Sequence, residues 1–261
     1  MILFLAGTSD ARELALLMKE NGYDLLATVV TENAAISLRE SGLEVHVGRL
    51  TSNDMAEIIR EKQAKVVVDA CHPFAEEASK NASQAAKDAN VPYIRYERES
   101  QTFQHEKVTA VDGYEEAAEL VKEKKGVVML TTGSKTLEIF TEKLRDCKDV
   151  QLVARMLPRK DNMEKCQQLG VEQKNIVAMQ GPFSKALNKA LYEHYGVTLM
   201  VTKESGKVGA VDEKLTAALE MGIETIVIKR PKINYETVYS NFTDVLEAVK
   251  QVFQNEKIPI E

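Results

Sequence analysis

Along the chain, short apolar runs alternate with segments whose apolar positions recur every three or four residues. The runs Ile2–Ala6, Leu25–Val30, Glu44–Val47, Val66–Ala70 and Tyr93–Tyr96 predict strands. So do Val108–Val111, Val127–Thr131, Leu152–Ala154, Ile176–Met179, Thr198–Thr202 and Thr225–Ile228. Several lack polar alternation, the pattern of strands covered on both faces of a parallel sheet. Between them, Ala11, Leu14, Ala15 and Met18 share one helical face, and Phe183, Leu187, Ala190 and Leu191 follow the same repeat. Ala75, Ala78, Ala82, Ala85, Ala86 and Ala89 form a stripe of small residues that lets a helix lie close to a sheet. This rhythm predicts an α/β fold with parallel sheets and right-handed crossovers.

The polar stretch Glu97–Thr102 follows the fifth predicted strand. The chain is therefore expected to divide into a doubly wound lobe over 1–98 and a second α/β lobe over 99–261. No long Gly/Ser linker separates them, so the lobes are expected to join tightly with a cleft between. Ligands of such folds bind beyond the carboxyl ends of the strands, which directs attention to the residues just after each one.

Composition narrows the partners. With 34 basic and 40 acidic residues, the 261-residue chain carries a formal charge of −6. A net negative surface argues against general nucleic-acid binding, which needs clustered Lys and Arg. It leaves room for a local basic pocket. The 44% apolar share supports a packed core. Cys71, Cys147 and Cys166 form no C-x-x-C pair, so neither a disulfide framework nor a structural zinc site is expected, and the reading is a reducing compartment. The apolar start Met1–Ala6 is too short for a signal-peptide core. No uncharged apolar run reaches the length of a membrane span. A cytoplasmic location without membrane attachment is expected.

The strand ends carry the candidate chemistry. After the first strand, Gly7-Thr8-Ser9-Asp10-Ala11-Arg12 offers a glycine, two hydroxyls and helix N-terminal amides for a phosphate. It has one of the three glycines of the dinucleotide fingerprint, and the competing reading is a turn capped by Ser9 or Asp10. Thr31-Glu32-Asn33 follows the second strand, at the distance where a dinucleotide fold contacts the adenosine ribose. Glu32 there would favour a free 2′-hydroxyl, and Arg39 would counter it. The fourth strand ends in Asp69-Ala70-Cys71-His72-Pro73-Phe74-Ala75, a polar cluster that packing does not require. A Cys71–His72 nucleophile pair is disfavoured, because adjacent residues rarely present both side chains to one atom.

In the second half, Thr131-Thr132-Gly133-Ser134-Lys135 looks like a phosphate-binding turn but lacks the order and upstream glycine of a P-loop, which disfavours ATPase activity. Arg155-Met156-Leu157-Pro158, Gln180-Gly181-Pro182-Phe183-Ser184, Thr202-Lys203-Glu204-Ser205-Gly206 and Lys229-Arg230-Pro231 also follow strands. Lone surface lysines are usually solvated; several such turns pointing cations and hydroxyls one way suggest an anionic ligand.

Taken in order, the turns at 7–12, 69–75, 131–135, 180–184 and 202–206, with Arg95-x-Glu97-Arg98, resemble the precorrin-6A reductase family of cobalamin biosynthesis over nearly the whole chain, from Ile2 to about Pro231. The resemblance implies two Rossmann-like or flavodoxin-like lobes with the active site between them. It implies NADPH-dependent reduction of one carbon–carbon double bond of a tetrapyrrole-derived macrocycle, precorrin-6A or its cobalt-containing counterpart. Two positions depart from the family pattern: Cys71 stands where Thr is common, and Ala210 where a second glycine often follows Gly209. On this reading Gly7, Thr8, Ser9 and Thr31 hold the cofactor with His72, Pro73 and Phe74 nearby. Gly133, Ser134, Lys135, Arg155, Lys203, Ser205 and Arg230 hold the carboxylate-fringed macrocycle. His72, Glu204 or water supplies the proton, and no metal is expected. The alternatives are an NAD(P)-dependent dehydrogenase of a small metabolite and a regulatory module that binds NAD(P)H without turnover. A methyltransferase gains no support from the glycine-poor first turn.

Overall fold

Each apolar run read as a strand forms one, within two residues of its expected ends. The computed structural model describes residues 1–100, 104–204 and 212–255. The chain begins β1 (Ile2–Leu5), α1 (Ser9–Glu20), β2 (Leu25–Val29), α2 (Glu32–Glu40), β3 (Glu44–Val47), α3 (Ser52–Glu61), β4 (Val66–Asp69), α4 (Glu76–Asp88) and β5 (Tyr93–Tyr96). It continues β6 (Val108–Val111), α5 (Tyr114–Lys124), β7 (Gly126–Leu130), α6 (Leu137–Leu144), β8 (Val150–Met156), α7 (Lys160–Gln168) and β9 (Ile176–Ala178). Then come α8 (Lys185–Tyr195), β10 (Leu199–Lys203), α9 (Glu213–Glu220), β11 (Glu224–Ile228), β12 (Val238–Tyr239) and α10 (Phe242–Asn255).

The strands build two six-stranded sheets, ordered β3-β2-β1-β4-β5-β12 and β9-β8-β7-β10-β11-β6. Every strand pairing is parallel. The two orders are equivalent: three strands run outward one way, the chain reverses, and the next two run the other way. The edge place goes to β12 in the first sheet and to β6 in the second. Such a doubly wound order creates a switch point, here between β1 and β4 and again between β7 and β10.

The first unit comprises Met1–Glu99 together with the stretch from Lys232 onward, and the second comprises Ser100–Pro231. The expectation that everything after residue 98 forms one lobe therefore fails for the last stretch. Val238 and Tyr239 pair with Arg95 and Tyr96. Without them β5 would leave a bare edge; instead the Arg95 and Glu97 amides donate to Thr237 and Tyr239 carbonyls, each at 2.9 Å. The two-residue β12 has no apolar run, so periodicity could not reveal it.

In the first unit, Ile2, Phe4, Val66 and Val68 face α1, whose Ala11, Leu14, Ala15 and Met18 are all fully buried, and α10, which adds Val245 and Val249. The opposite face, with Leu3, Leu5 and Val67, meets Met55 and Ile59 of α3 and the alanine stripe of α4, where Ala82, Ala85 and Ala86 are buried. In the second unit, Met129, Val153 and Met200 pack against Tyr192, Ala217 and Ala218. The buried face of α8 is thus Asn188 and Tyr192, while Ala190 of the predicted face is exposed. Polar groups cause the shift: the Tyr192 hydroxyl donates to the Lys214 carbonyl at 2.9 Å, and Asn188 serves Arg155, described below.

If α10 belongs to the first core, Val249→Ala should cost about 2 kcal/mol and speed hydrogen exchange in β1, β4 and β5. Acceleration confined to β7 and β10 would contradict that assignment.

Candidate functional site

Parallel pairing fixes which turns become neighbours. Leu5 is in register with Thr28 on one side and Asp69 on the other. The ladder runs on as Ala6 N–H to Thr28 O at 3.0 Å and Ala70 N–H to Leu5 O at 3.0 Å. The turns bearing Thr31, Gly7–Ser9 and His72–Phe74 therefore leave three adjacent strands at the β1–β4 switch point, where open α/β sheets bind ligands.

Gly7 has φ +142°, a conformation that side-chain-bearing residues rarely adopt, and a Cβ there would meet no atom within 4 Å. Backbone shape, not lack of space, demands the glycine. Thr8, rather than Ser9 or Asp10, caps α1: its hydroxyl accepts from Ala11 N–H at 3.1 Å. Its extended backbone suits a cap, whereas Ser9 is already the first helical residue. Ser9 is exposed, and its hydroxyl donates to Asp10 at 3.3 Å. Thr31 caps α2 in the same way, accepting from Ala34 N–H at 3.3 Å. Asp10 would oppose a phosphate at the head of α1, but Arg98 forms an ion pair with it. Glu32 and Arg39 pair with each other on the surface. A glycine turn, two hydroxyls and the head of a twelve-residue helix relieved of its acidic charge fit a dinucleotide pyrophosphate.

Beside this turn lies a buried polar cluster. Asp69 and Arg95 are paired across β4 and β5, both side chains wholly buried, with Nη1 to Oδ1 at 2.8 Å. Asp69 also accepts from the Tyr93 hydroxyl at 2.7 Å and from Cys71 N–H at 3.0 Å. Burial alone would raise the Asp69 pKa; Arg95 and hydrogen bonds from Cys71, Ser79 and Tyr93 outweigh it and hold the carboxyl below its ordinary value. Burial, reinforced by the Asp69 charge, pushes the Cys71 thiol up to about 12. The thiol points inward, 3.4 Å from the Ser79 hydroxyl. It stays protonated and is no nucleophile. His72, the next residue, is half-buried, and its Nδ1 accepts from Phe74 N–H at 3.2 Å. That bond puts the ring proton of the neutral imidazole on Nε2. The His72 and Phe74 rings lie 5.6 Å apart, and Pro73 between them is half-buried.

The second unit repeats the arrangement with different side chains. Leu130 is in register with Val201, and Thr131 N–H donates to Val201 O at 2.9 Å, so the Gly133 turn and Lys203 flank the β7–β10 switch point. Gly133 has φ +81°. The Ser134 hydroxyl donates to Asn162 Oδ1 at 2.5 Å, and Asn162 in turn donates to Leu157 O at 3.0 Å, which pins the turn to α7. Lys135 is exposed. Lys203 is half-buried, and burial, then Lys214 and Lys135, lower its pKa. Lys203 thus lies within electrostatic reach of cations from two other segments, of which Lys214 also pairs with Asp212 at 3.7 Å. On β8, Arg155 is buried, donates to Asn188 Oδ1 at 2.7 Å and lies 4.2 Å over the Phe183 ring. Burial lowers its pKa too.

Glu204 and Arg230 meet each other. Glu204 is 1% exposed and accepts from Arg230 Nη2 at 2.9 Å, Nε at 3.0 Å and backbone N–H at 3.2 Å. Its carboxylate also accepts from Ser100 at 2.9 Å. Such a carboxylate is an acceptor, and Arg230 is committed to it. Ser205 lies outside the described residues. Sequence reading missed Asn162, Asn188, Phe183 and Lys214 as partners. It also missed the Asp69–Arg95 pair, whose one signal was a charge inside the apolar strand Tyr-Ile-Arg-Tyr.

Among the described residues no group of three or more His, Cys, Asp or Glu is placed to hold a metal ion. No described helix is long and apolar enough to cross a membrane. A groove of about 760 Å³ opens by the amino end of β8, lined by Glu138, Arg145, Gln151 and Glu172 among others. None of the candidate residues lines it.

Residues 1–252 match the model of the family described as precorrin-6x reductase CbiJ/CobK. The chain is 64% identical over 249 residues to a cobalt-precorrin-6A reductase of Priestia megaterium, covering 95% of this chain and 98% of that protein. It is 33% identical to a cobalt-precorrin-6A reductase of Salmonella typhimurium, covering 88% and 87%. Among solved structures, CobK precorrin-6A reductase shares the fold with a TM-score of 0.76 at 22% identity, over 96% of both chains.

The buried cluster makes stability depend on pH at both ends. Asp69, held below 3.8, stabilises the fold above that pH and loses its contribution as the pH falls further. Cys71, raised from 9.0 to about 12, contributes fully below pH 9.0 and loses that contribution as the pH rises through about 12. Melting temperature measured against pH should therefore fall less steeply in alkali for Cys71→Thr, whose hydroxyl can still accept from Arg95. An unchanged alkaline limb would remove the thiol as the cause.

Proposed function

The chain belongs to the precorrin-6x reductase family, and we propose that it reduces one carbon–carbon double bond of cobalt-precorrin-6A with NADPH. It is an oxidoreductase of corrin-ring synthesis. The cobalt-containing substrate is the one in the names of the Priestia megaterium and Salmonella typhimurium relatives. The observation that carries the reading is a pair of equivalent switch points, one equipped for a dinucleotide and the other ringed by cations.

Reduced nicotinamide, when bound, supplies the hydride; the protein's part is to bind, orient and provide charge. Gly7, Thr8, Ser9 and the first amides of α1 hold the pyrophosphate, with Thr31 at the ribose side. His72, Pro73 and Phe74 lie on the neighbouring strand end. On the second sheet, the Gly133–Ser134 turn with Lys135, Arg155, Lys203 and Ser205 holds the carboxylates of the macrocycle. Arg230, fixed by Glu204, shapes the rim beside Lys203. Addition across a carbon–carbon double bond needs a proton as well as a hydride. A neutral imidazole that gave up its Nε2 proton would become an imidazolate, so on this reading water supplies the proton and His72 Nε2–H orients it. Glu204, already an ion-pair acceptor, positions Arg230 instead. Orientation of the two reactants accounts for up to about 7–11 kcal/mol of barrier lowering.

Mixing the purified protein with NADPH and cobalt-precorrin-6A should give stoichiometric loss of nicotinamide absorbance with a shift of the macrocycle spectrum. NADPH binding without turnover would favour the regulatory module. Lys135→Ala and Lys203→Ala should each raise the macrocycle KM about tenfold, the effect of one charged contact, and leave the NADPH KM unchanged. If neither alters macrocycle kinetics, the second sheet does not bind it. Ser9→Asp, which adds a negative charge at the head of α1, should weaken NADPH binding with little change in macrocycle affinity.

A further inference from the structure

We infer that Arg95 is a positioning residue, which holds the His72 turn in place through Asp69 and Cys71. The inference rests on the reading of His72 as a working residue of the site.

Arg95 reaches three segments: the end of β4, the residues just past β5, and the stretch before β12. Its Nη1 reaches Asp69 Oδ1 at 2.8 Å, the Asp69 carbonyl at 3.4 Å and Cys71 Sγ at 3.5 Å. Its Nε donates to Glu97 at 3.0 Å, and its guanidinium lies 5.3 Å from the Tyr235 ring centre. Asp69 ends β4, and its Oδ1 accepts the Cys71 N–H, closing the chain into a turn just beyond the strand. The backbone at 69 and both side chains at 69 and 71 are therefore tied to one guanidinium. The next residue is His72. Its remaining freedom is limited by Phe74 N–H on Nδ1 and by its own carbonyl, which accepts from Ala75 N–H at 2.8 Å. The imidazole direction is thus set by a chain of contacts that starts at β5.

Stability alone is a poor account of this pair. A buried ion pair can often be replaced by apolar residues of similar volume without loss. Here the arrangement also leaves Arg95 Nη2 buried with no hydrogen-bond partner among the described residues. What the guanidinium achieves and an apolar pair could not is simultaneous grip on the end of β4 and on the side chain at 71. Lysine, a point donor without a fork, could not make the same contacts.

The test compares Arg95→Lys in the native background and in His72→Asn, with both ligands saturating. A positioning role predicts that Arg95→Lys lowers kcat about tenfold alone but less than about twofold when His72 is already Asn, because residues acting as one unit are not additive. In the ligand-free protein it predicts faster hydrogen exchange at the Phe74 amide, with β1 amides unchanged. Tyr93→Phe, which removes one bond to Asp69 and keeps the ion pair, should show the same non-additivity with a smaller loss, and it carries the test if Arg95→Lys does not fold. Equal losses in the two backgrounds, or native kcat and native Phe74 exchange in a folded variant, would overturn the inference. If His72→Asn alone leaves turnover intact, the role of His72 falls, and Phe74 exchange still decides whether Arg95 holds the turn.

Discussion

Parallel hydrogen bonding is the constraint on which everything else here depends. Strands that run the same way cannot be joined by a tight turn and need a crossover, so helices cover both faces of each sheet and bury them. Polar chemistry is then left to the strand ends. Because every pairing is parallel, all carboxyl ends of a sheet share one edge. Residues 5 and 69 become neighbours through register alone, and with them two turns that sequence separates by α1, β2, α2, β3, α3 and β4. The same rule brings the Gly133 turn beside Lys203.

What sequence could show follows from this. Apolar runs and helical stripes are local, and both survive in the fold, including the full alanine stripe and the α1 face. Pairings across the sheet are not local. Arg95 reads in sequence as one charge in an apolar strand, and its partner lies across the sheet on the preceding strand. Glu204 and Arg230 each read as a candidate for chemistry, since nothing in a linear chain says that they would neutralise each other. The α8 stripe misled for a related reason: Asn188 and Tyr192 turn inward to satisfy Arg155 and Lys214, and periodicity counts only apolar residues. The cap at Thr8 rather than Ser9 is a one-residue question that backbone shape decides.

Net charge proved a global sum with little bearing on the local field. Much of the acid sits in exposed, solvent-screened pairs such as Lys62–Glu44, Lys185–Glu220 and Lys125–Asp149. Glu44, Lys125 and Asp149 lie at the amino ends of β3, β7 and β8, away from the carboxyl ends that carry the candidate turns. Cations that sense like neighbours, as Lys203 senses Lys214 and Lys135, lie where the sheet ends. Asp212 pairs with Lys214 at 3.7 Å, and on the proposed function a carboxylate of the macrocycle would join the same group of charges.

The late position of β12 and α10 in the chain has a consequence for biosynthesis. A domain usually folds as its last residue leaves the ribosome, at about 5–20 residues per second. The first sheet cannot do so, because its sixth strand and a helix of its core come after the entire second unit. For a time on the order of ten seconds, the nascent β5 presents an open row of amides and carbonyls, and the surface that Val245 and Val249 will cover is bare. An edge of that kind is a template for pairing with another chain. The second unit, contiguous in sequence, can close first, so the order of folding runs against the order of synthesis.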